Sequence, residues 1–183
     1  MRNMDWLVYT YRHRRAFEYC VKKRVHDPKL REAMLRRARV HDMDKMVLYL
    51  FMDQAAAQQL HIQTQPHHLE NQLPRTYEDL VETALDYECA PYTKPDKPLN
   101  AYDFVKKLLG MGLIDRETGE KLIDILGKLG IAQSGTVEAD AEGCRYCRSI
   151  EPVTEEMILA EILHYIDENR DNALSLALQQ GAV

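Results

Sequence analysis

Apolar residues recur every three or four positions along most of the chain, which predicts helices with one inward face each. Trp6, Tyr9, His13, Phe17 and Cys20 share a face of a helix over about residues 5–25. Asp27-Pro28 ends that helix and starts the next, because Asp suits an N-cap and Pro the first helical position. The second helix turns Leu30, Ala33, Met34 and Ala38 inward. A third is expected from about Asp42 through Leu60, followed by a loop over 61–75 that contains Pro66 and Pro74. Thr76 with Asp79 has the spacing of a capping box, opening a helix to about Ala90 with Leu80, Ala84 and Tyr87 inward. Pro91, Pro95 and Pro98 then predict a stiff excursion. Asn100 caps a helix ending near Gly110 or Gly112, and Asp115 opens one that Gly130 closes. Thr154 with Glu155 and Glu156 opens a last helix through Ile158, Ile162 and Tyr165, with a break expected near Asn169 before Leu174–Leu178.

No segment alternates as a strand does, and no internal repeat is present. The expected fold class is therefore all-α, a bundle of about seven helices. At 183 residues the chain can bury a full core. The expected organisation is a core over 1–110 with a C-terminal helical extension, 111–183, packed on the same domain.

Charge refines this picture. Residues 1–45 hold thirteen Lys and Arg against six Asp and Glu, leaving −12 on the rest of a chain of net −5. An acidic chain with one basic quarter does not match a general nucleic-acid binder. A solvated helix face explains the basic quarter most simply; a small anionic ligand nearby is the alternative. No run of about 18 apolar residues suggests a membrane span. The N-terminus lacks the basic-then-apolar order of a signal peptide, so the expected location is cytoplasmic. Four cysteines are too few for a disulfide scaffold at this length. Cys144-x-x-Cys147 is half of a zinc-site spacing with no obvious second half.

The candidate chemistry lies in the histidines. The chain has seven. His13 sits on an apolar helix face, His41 adjoins Asp42, and His61, His67 and His68 fall close together downstream. Asp86 lies on the apolar side of its helix, where a carboxylate needs a partner. Neutral imidazole and carboxylate suit first-row transition metals. Lys45 shares a helical face with His41 and Asp42, a place from which an ammonium meets an anion. His26-Asp27 is a look-alike pair that the cap explains, and it receives no metal role.

This order, His13, then His41-Asp42, then a distant Asp86, resembles the HD-domain superfamily of metal-dependent phosphohydrolases. The added His61 and His67-His68, and Lys45 in His-Asp-x-x-Lys, are similar to the two-metal branch that includes the HD-GYP phosphodiesterases. His68 is followed by Leu-Glu-Asn and not by Gly-Tyr-Pro, so cyclic dinucleotides are not implied. The layout is also similar to a small uncharacterised bacterial and phage family of HD-like proteins. The resemblance covers about residues 5–110.

It implies an HD-like bundle binding one or two divalent transition metal ions (Mn, Fe, Co, Ni or Zn). One ion would take His13, His41, Asp42 and Asp86. The other would take Asp42 as a bridge, His61, and one or both of His67 and His68. Metal-activated water would hydrolyse a nucleotide or another small phosphate ester, with Asp42 and Lys45 catalytic and Lys45 and Arg12 on the substrate. Glu70, three residues after His67, would steady an imidazole. The di-iron oxygenases of the same superfamily share this residue order, and a non-catalytic metal- or partner-binding protein is the third reading. The last helix, with Ile158, Ile162, Tyr165 and Ile166, could pack on a partner subunit.

Overall fold

The computed structural model describes residues 3–94, 99–131, 133–135 and 151–169. These form an all-helical bundle without a strand. There are eight helices among the described residues: α1 Asn3–Arg24, α2 Pro28–Val40, α3 Met43–Leu48, α4 Gln54–Thr64, α5 Tyr77–Thr93, α6 Ala101–Gly110, α7 Arg116–Lys128 and α8 Glu155–Glu168. Seven have ten residues or more; α3 has six.

The caps are the ones the sequence predicts. Asp27 Oδ1 accepts from Leu30 N at 2.7 Å with Pro28 in the first turn. Thr76 and Asp79 form a reciprocal capping box. Asn100, Asp115 and Thr154 cap α6, α7 and α8.

Two expected boundaries move. The single helix expected over 42–60 is two, because Asp53 accepts from Ala56 N and caps a new start, α4. That start reaches four residues past the expected end, so His61 stands on the last turn of a helix and not in a loop. Helix α5 runs through buried Pro91 to Thr93 instead of stopping at Ala90. One proline within a helix removes one amide donor, and burial of its neighbours Cys89 and Tyr92 carries the helix on. Pro95, Pro98, Cys144, Cys147 and Leu174–Leu178 lie outside the described residues.

Helix α1 is the axis of the fold. Its C-terminal half, with Ala16, Phe17, Cys20 and Val21, joins α2, α5, α6 and α7 in one apolar cluster. Its N-terminal half, with Leu7 and Tyr11, joins α3, α4 and α8 in a second. His13 falls between the two, so polar residues gathered around it occupy the seam between two dry cores. Ile158 and Ile162 of α8 are buried in the second cluster. Two of the four residues on the apolar face that could pack on a partner subunit are thus buried within the chain, and Tyr165 and Ile166 are partly buried against the same cluster. No helix among the described residues is long and apolar enough to cross a membrane.

Candidate metal centre

Helix α2 ends at His41, and the next residue, Asp42, takes φ 58° and ψ 9°. It is the one non-glycine residue with positive φ among those described. Asp tolerates this left-handed conformation better than most residues, but it still costs energy that surrounding contacts must offset. The kink turns the carboxylate away from the start of α3, where it would otherwise cap, and into the seam. There it is 4 % exposed, 2.9 Å from Lys45 Nζ and 2.9 Å from His61 Nε2. It is 4.0 Å from the Nε2 of both His13 and His41, and 3.9 Å from that of His67.

The fold brings together all seven residues expected as metal ligands. Donor atoms of Asp42, His61, His67 and His68 lie within 4.8 Å of one another, as do those of His13, His41 and Asp42. Asp42 is common to both groups. Asp86, from α5, reaches the group of His13, His41 and Asp42 through His13 Nε2 at 2.7 Å and His41 Nε2 at 3.8 Å.

The imidazoles are aimed by carboxylates behind them. Glu82 Oε1 lies 2.9 Å from His41 Nδ1 and 3.5 Å from His67 Nδ1. Arg37 donates to Glu82 and to Asp79 at 2.7 Å each, which fixes the Glu82 carboxylate. Asp44 accepts from His61 Nδ1 at 2.9 Å and from Gln65 Nε2 at 2.9 Å. Glu70 stands 3.7 Å from His68 Nδ1, the place expected of it. Holding one ring nitrogen fixes the direction and tautomer of the other. The other nitrogens, Nε2 of His41, His61, His67 and His68, are buried and make no aligned hydrogen bond. Four such atoms lie around one carboxylate without the hydrogen bond that a buried polar atom ordinarily makes, a gap that a bound metal ion could fill.

Charge points the same way. Burial raises the Asp42 carboxyl, yet Lys45, His61 and His41 outweigh it and hold the group well below the usual range. Asp86 is likewise held low against its burial by His13 and His41. Asp44 and Glu82 are lowered by His61 and His41 respectively, again against burial. Burial lowers the His41 imidazole, but Asp42, Asp86 and Glu82 prevail and lift it to about 10. His67 moves the other way, to about 3, through burial and then the charge on His41. The seam therefore keeps four carboxylates ionised, with Lys45, His41 and His61 supplying positive charge beside them. These buried His, Asp and Glu groups could hold a metal ion.

A cleft of about 710 Å³ opens over the cluster, with His13, Asp42, Lys45, His68 and Asp86 in its floor. Arg12 is not part of it; its guanidinium donates to the Glu151 carbonyl at 3.3 Å. Tyr87 lines the cleft, whereas Tyr92 packs in the core beside Tyr19. Cys20 and Cys89 are buried thiols beneath the site, Cys89 Sγ lying 3.8 Å from His13 Nδ1. His26 is exposed. His164 is also exposed and pairs with Glu168.

Asp44, Glu82, Arg14 and Arg37 were not legible as parts of the site. Glu82 carried a usable signal: it stands four residues before Asp86, hence on the same helical face. Glu82→Ala is expected to weaken metal binding about 10- to 100-fold, because it frees two imidazoles at once. Metal titration by competition with a chromogenic chelator checks this; an unchanged affinity would show that Glu82 does not orient ligands.

Comparison of the chain with known protein families, curated proteins and solved structures finds no match.

Proposed function

We propose that this protein is a metal-dependent phosphohydrolase of HD type, acting on a small phosphate ester. The observation that carries the reading is the set of four unpartnered imidazole nitrogens around Asp42, with Lys45 beside them on the floor of an open cleft. His13, His41, Asp42 and Asp86 would hold one divalent ion, and Asp42, His61, His67 and His68 a second. Mn, Fe, Co, Ni and Zn all suit these donors. Such an ion supplies a Lewis acid and a water of lowered pKa.

The chain's own residues supply the rest. Asp42 belongs to both donor groups, which suits it to bridge. Lys45 is 7 % exposed, and burial alone lowers its ammonium pKa, but Asp42 raises it further than burial lowers it. It is a fixed positive charge beside the reacting group, where phosphate oxygens gain charge in the transition state. Glu82 and Asp44 keep the imidazoles aimed. Tyr9, Tyr87 and Phe104 wall the cleft with aromatic surface.

The first test is metal analysis of protein purified without chelator. Next comes a chromogenic phosphoester and a nucleotide panel assayed with each of the five ions. Stoichiometric metal and ion-dependent phosphate release are expected. No metal, and no gain on adding any ion, would sink the reading. Silence on every ester, with oxygen uptake on Fe(II), would replace it with an oxygenase. Lys45→Ala is expected to retain its metal and lose about 100-fold in kcat/KM, some 2.7 kcal/mol.

A further inference from the structure

Two walls of the cleft each carry aromatic rings and a lysine. On the first, the Tyr9 ring stacks on His13 at 6.1 Å, and Lys94 Nζ lies 5.3 Å over the same Tyr9 ring. On the second, Tyr87 follows Asp86 in the chain and packs edge-on against Phe104 at 4.8 Å. Lys107 stands three residues after Phe104 on α6, hence on the same face. The first wall runs in contact from His13 across the Tyr9 ring to Lys94, and the second sets the Tyr87–Phe104 pair and Lys107 along the same cleft. Both lysines line the cleft, and neither makes a salt bridge with any described residue. Lys94 is half-buried and Lys107 exposed.

We propose that Lys94 and Lys107 form a second anion subsite, so that the cleft takes a ligand with two anionic groups joined by a flat, ring-containing portion. This rests on the reading of the cluster as the place where the first phosphate binds. Lys45 meets that phosphate at the floor. The rings of Tyr9, Tyr87, Phe104 and Trp6 cover the middle, where aromatic surface favours a planar, apolar group. Lys94 and Lys107 meet the second anion at the mouth. The steps of 6.1 and 5.3 Å along the first wall put Lys94 no farther from the His13 ring than their sum, so the longest ligand that fits has about two rings. A simple monoester uses only the floor; a doubly anionic ligand uses floor and mouth together.

Calorimetric titration of the protein as purified tests this with probes that cannot be hydrolysed. Biphenyl-4,4′-diphosphonate is compared with biphenyl-4-phosphonate, which has the same rings and one anion. The diphosphonate is expected to bind at least about tenfold more tightly, and Lys94→Ala and Lys107→Ala should each remove most of that advantage. Binding of the monophosphonate should change less than about twofold. Equal affinity for the two probes overturns the proposal. So does an advantage that survives both substitutions, or binding of neither probe. Turnover of phenyl phosphate separates the two readings. A diphosphonate preference without hydrolysis of any ester would leave the subsite and remove the phosphohydrolase. Hydrolysis without the preference would do the reverse.

Discussion

Asp42→Asn is expected to leave the fold intact and abolish both metal binding and turnover. Asn is the residue closest to Asp in its tolerance of positive φ, so the kink between α2 and α3 survives the change. What is lost is the charge and one of the two oxygens that face the donor groups on either side. His61 Nε2 and Lys45 Nζ each lie 2.9 Å from that carboxylate, and three further imidazole nitrogens lie within 4.0 Å of it. No other residue belongs to both donor groups. Metal content should fall below about a tenth of wild type, and kcat/KM by about 1,000-fold or more, some 4 kcal/mol of transition-state stabilisation. Circular dichroism and thermal melting establish the fold, and elemental analysis reads the metal. Retained stoichiometric metal in this variant would show that Asp42 does not bridge, and the ligand assignment would have to be redrawn. Asp42→Ala is the harsher companion: Ala lacks the short polar side chain that eases Asp and Asn into φ 58°, and this variant should melt lower than the Asn variant.

The second large effect concerns stability. Arg14 is buried at 7 % exposure in the middle of α1. Its Nε donates to the His41 carbonyl at 2.8 Å and its Nη2 to the Arg39 carbonyl at 2.8 Å. Its Nη1 pairs with Glu161 of α8, which also pairs with Arg15. One guanidinium thus satisfies the open carbonyls at the end of α2, just before the kinked Asp42, and ties them to α8. Arg14→Ala would leave two carbonyls without their donor and leave the Glu161 carboxylate with Arg15 alone. A loss of about 3 kcal/mol is expected, with a melting temperature about 10 °C lower. Denaturant unfolding checks the figure. A change under about 1 kcal/mol would show that the network is solvent-compensated. Glu161→Gln keeps a hydrogen-bond acceptor and should lose less than half as much, which separates the ion pair from the packing of α8. The same contacts hold α8 on the core: Ile158 and Ile162 fill the second cluster while Glu161 fastens the end of α2.

Helix positions were legible because the signals for them are local. Apolar spacing and a Ser, Thr, Asp or Asn cap act within four residues, and Asp27, Thr76, Asn100, Asp115 and Thr154 all cap where their patterns place them. The two misplaced boundaries are cases where local cues competed. Asp53 was hidden inside an apolar-periodic run, and Pro91 was overridden by the burial of its neighbours. The ligand-type residues were legible for a different reason. Histidine and buried-face carboxylate are scarce enough that their order along the chain is informative before their positions in space are known.

The amino-acid sequence by itself determined the all-helical class, the inward faces, most of the caps and the seven residues that meet at the seam. Only the tertiary structure decided which ring nitrogens face one another. Their directions depend on Asp44, 17 residues from His61, and on Glu82, 41 residues from His41. It decided that Asp42 faces inward, because a left-handed residue between two helices is a product of how α2 and α3 are held by Arg14 and the core. It removed Arg12 from the cleft and placed Lys94 and Lys107 there, since a cleft between α1, α5 and α6 exists only once those helices pack. Local propensities act within a turn of helix, whereas the aim of a side chain at a shared point is set by contacts distant in sequence.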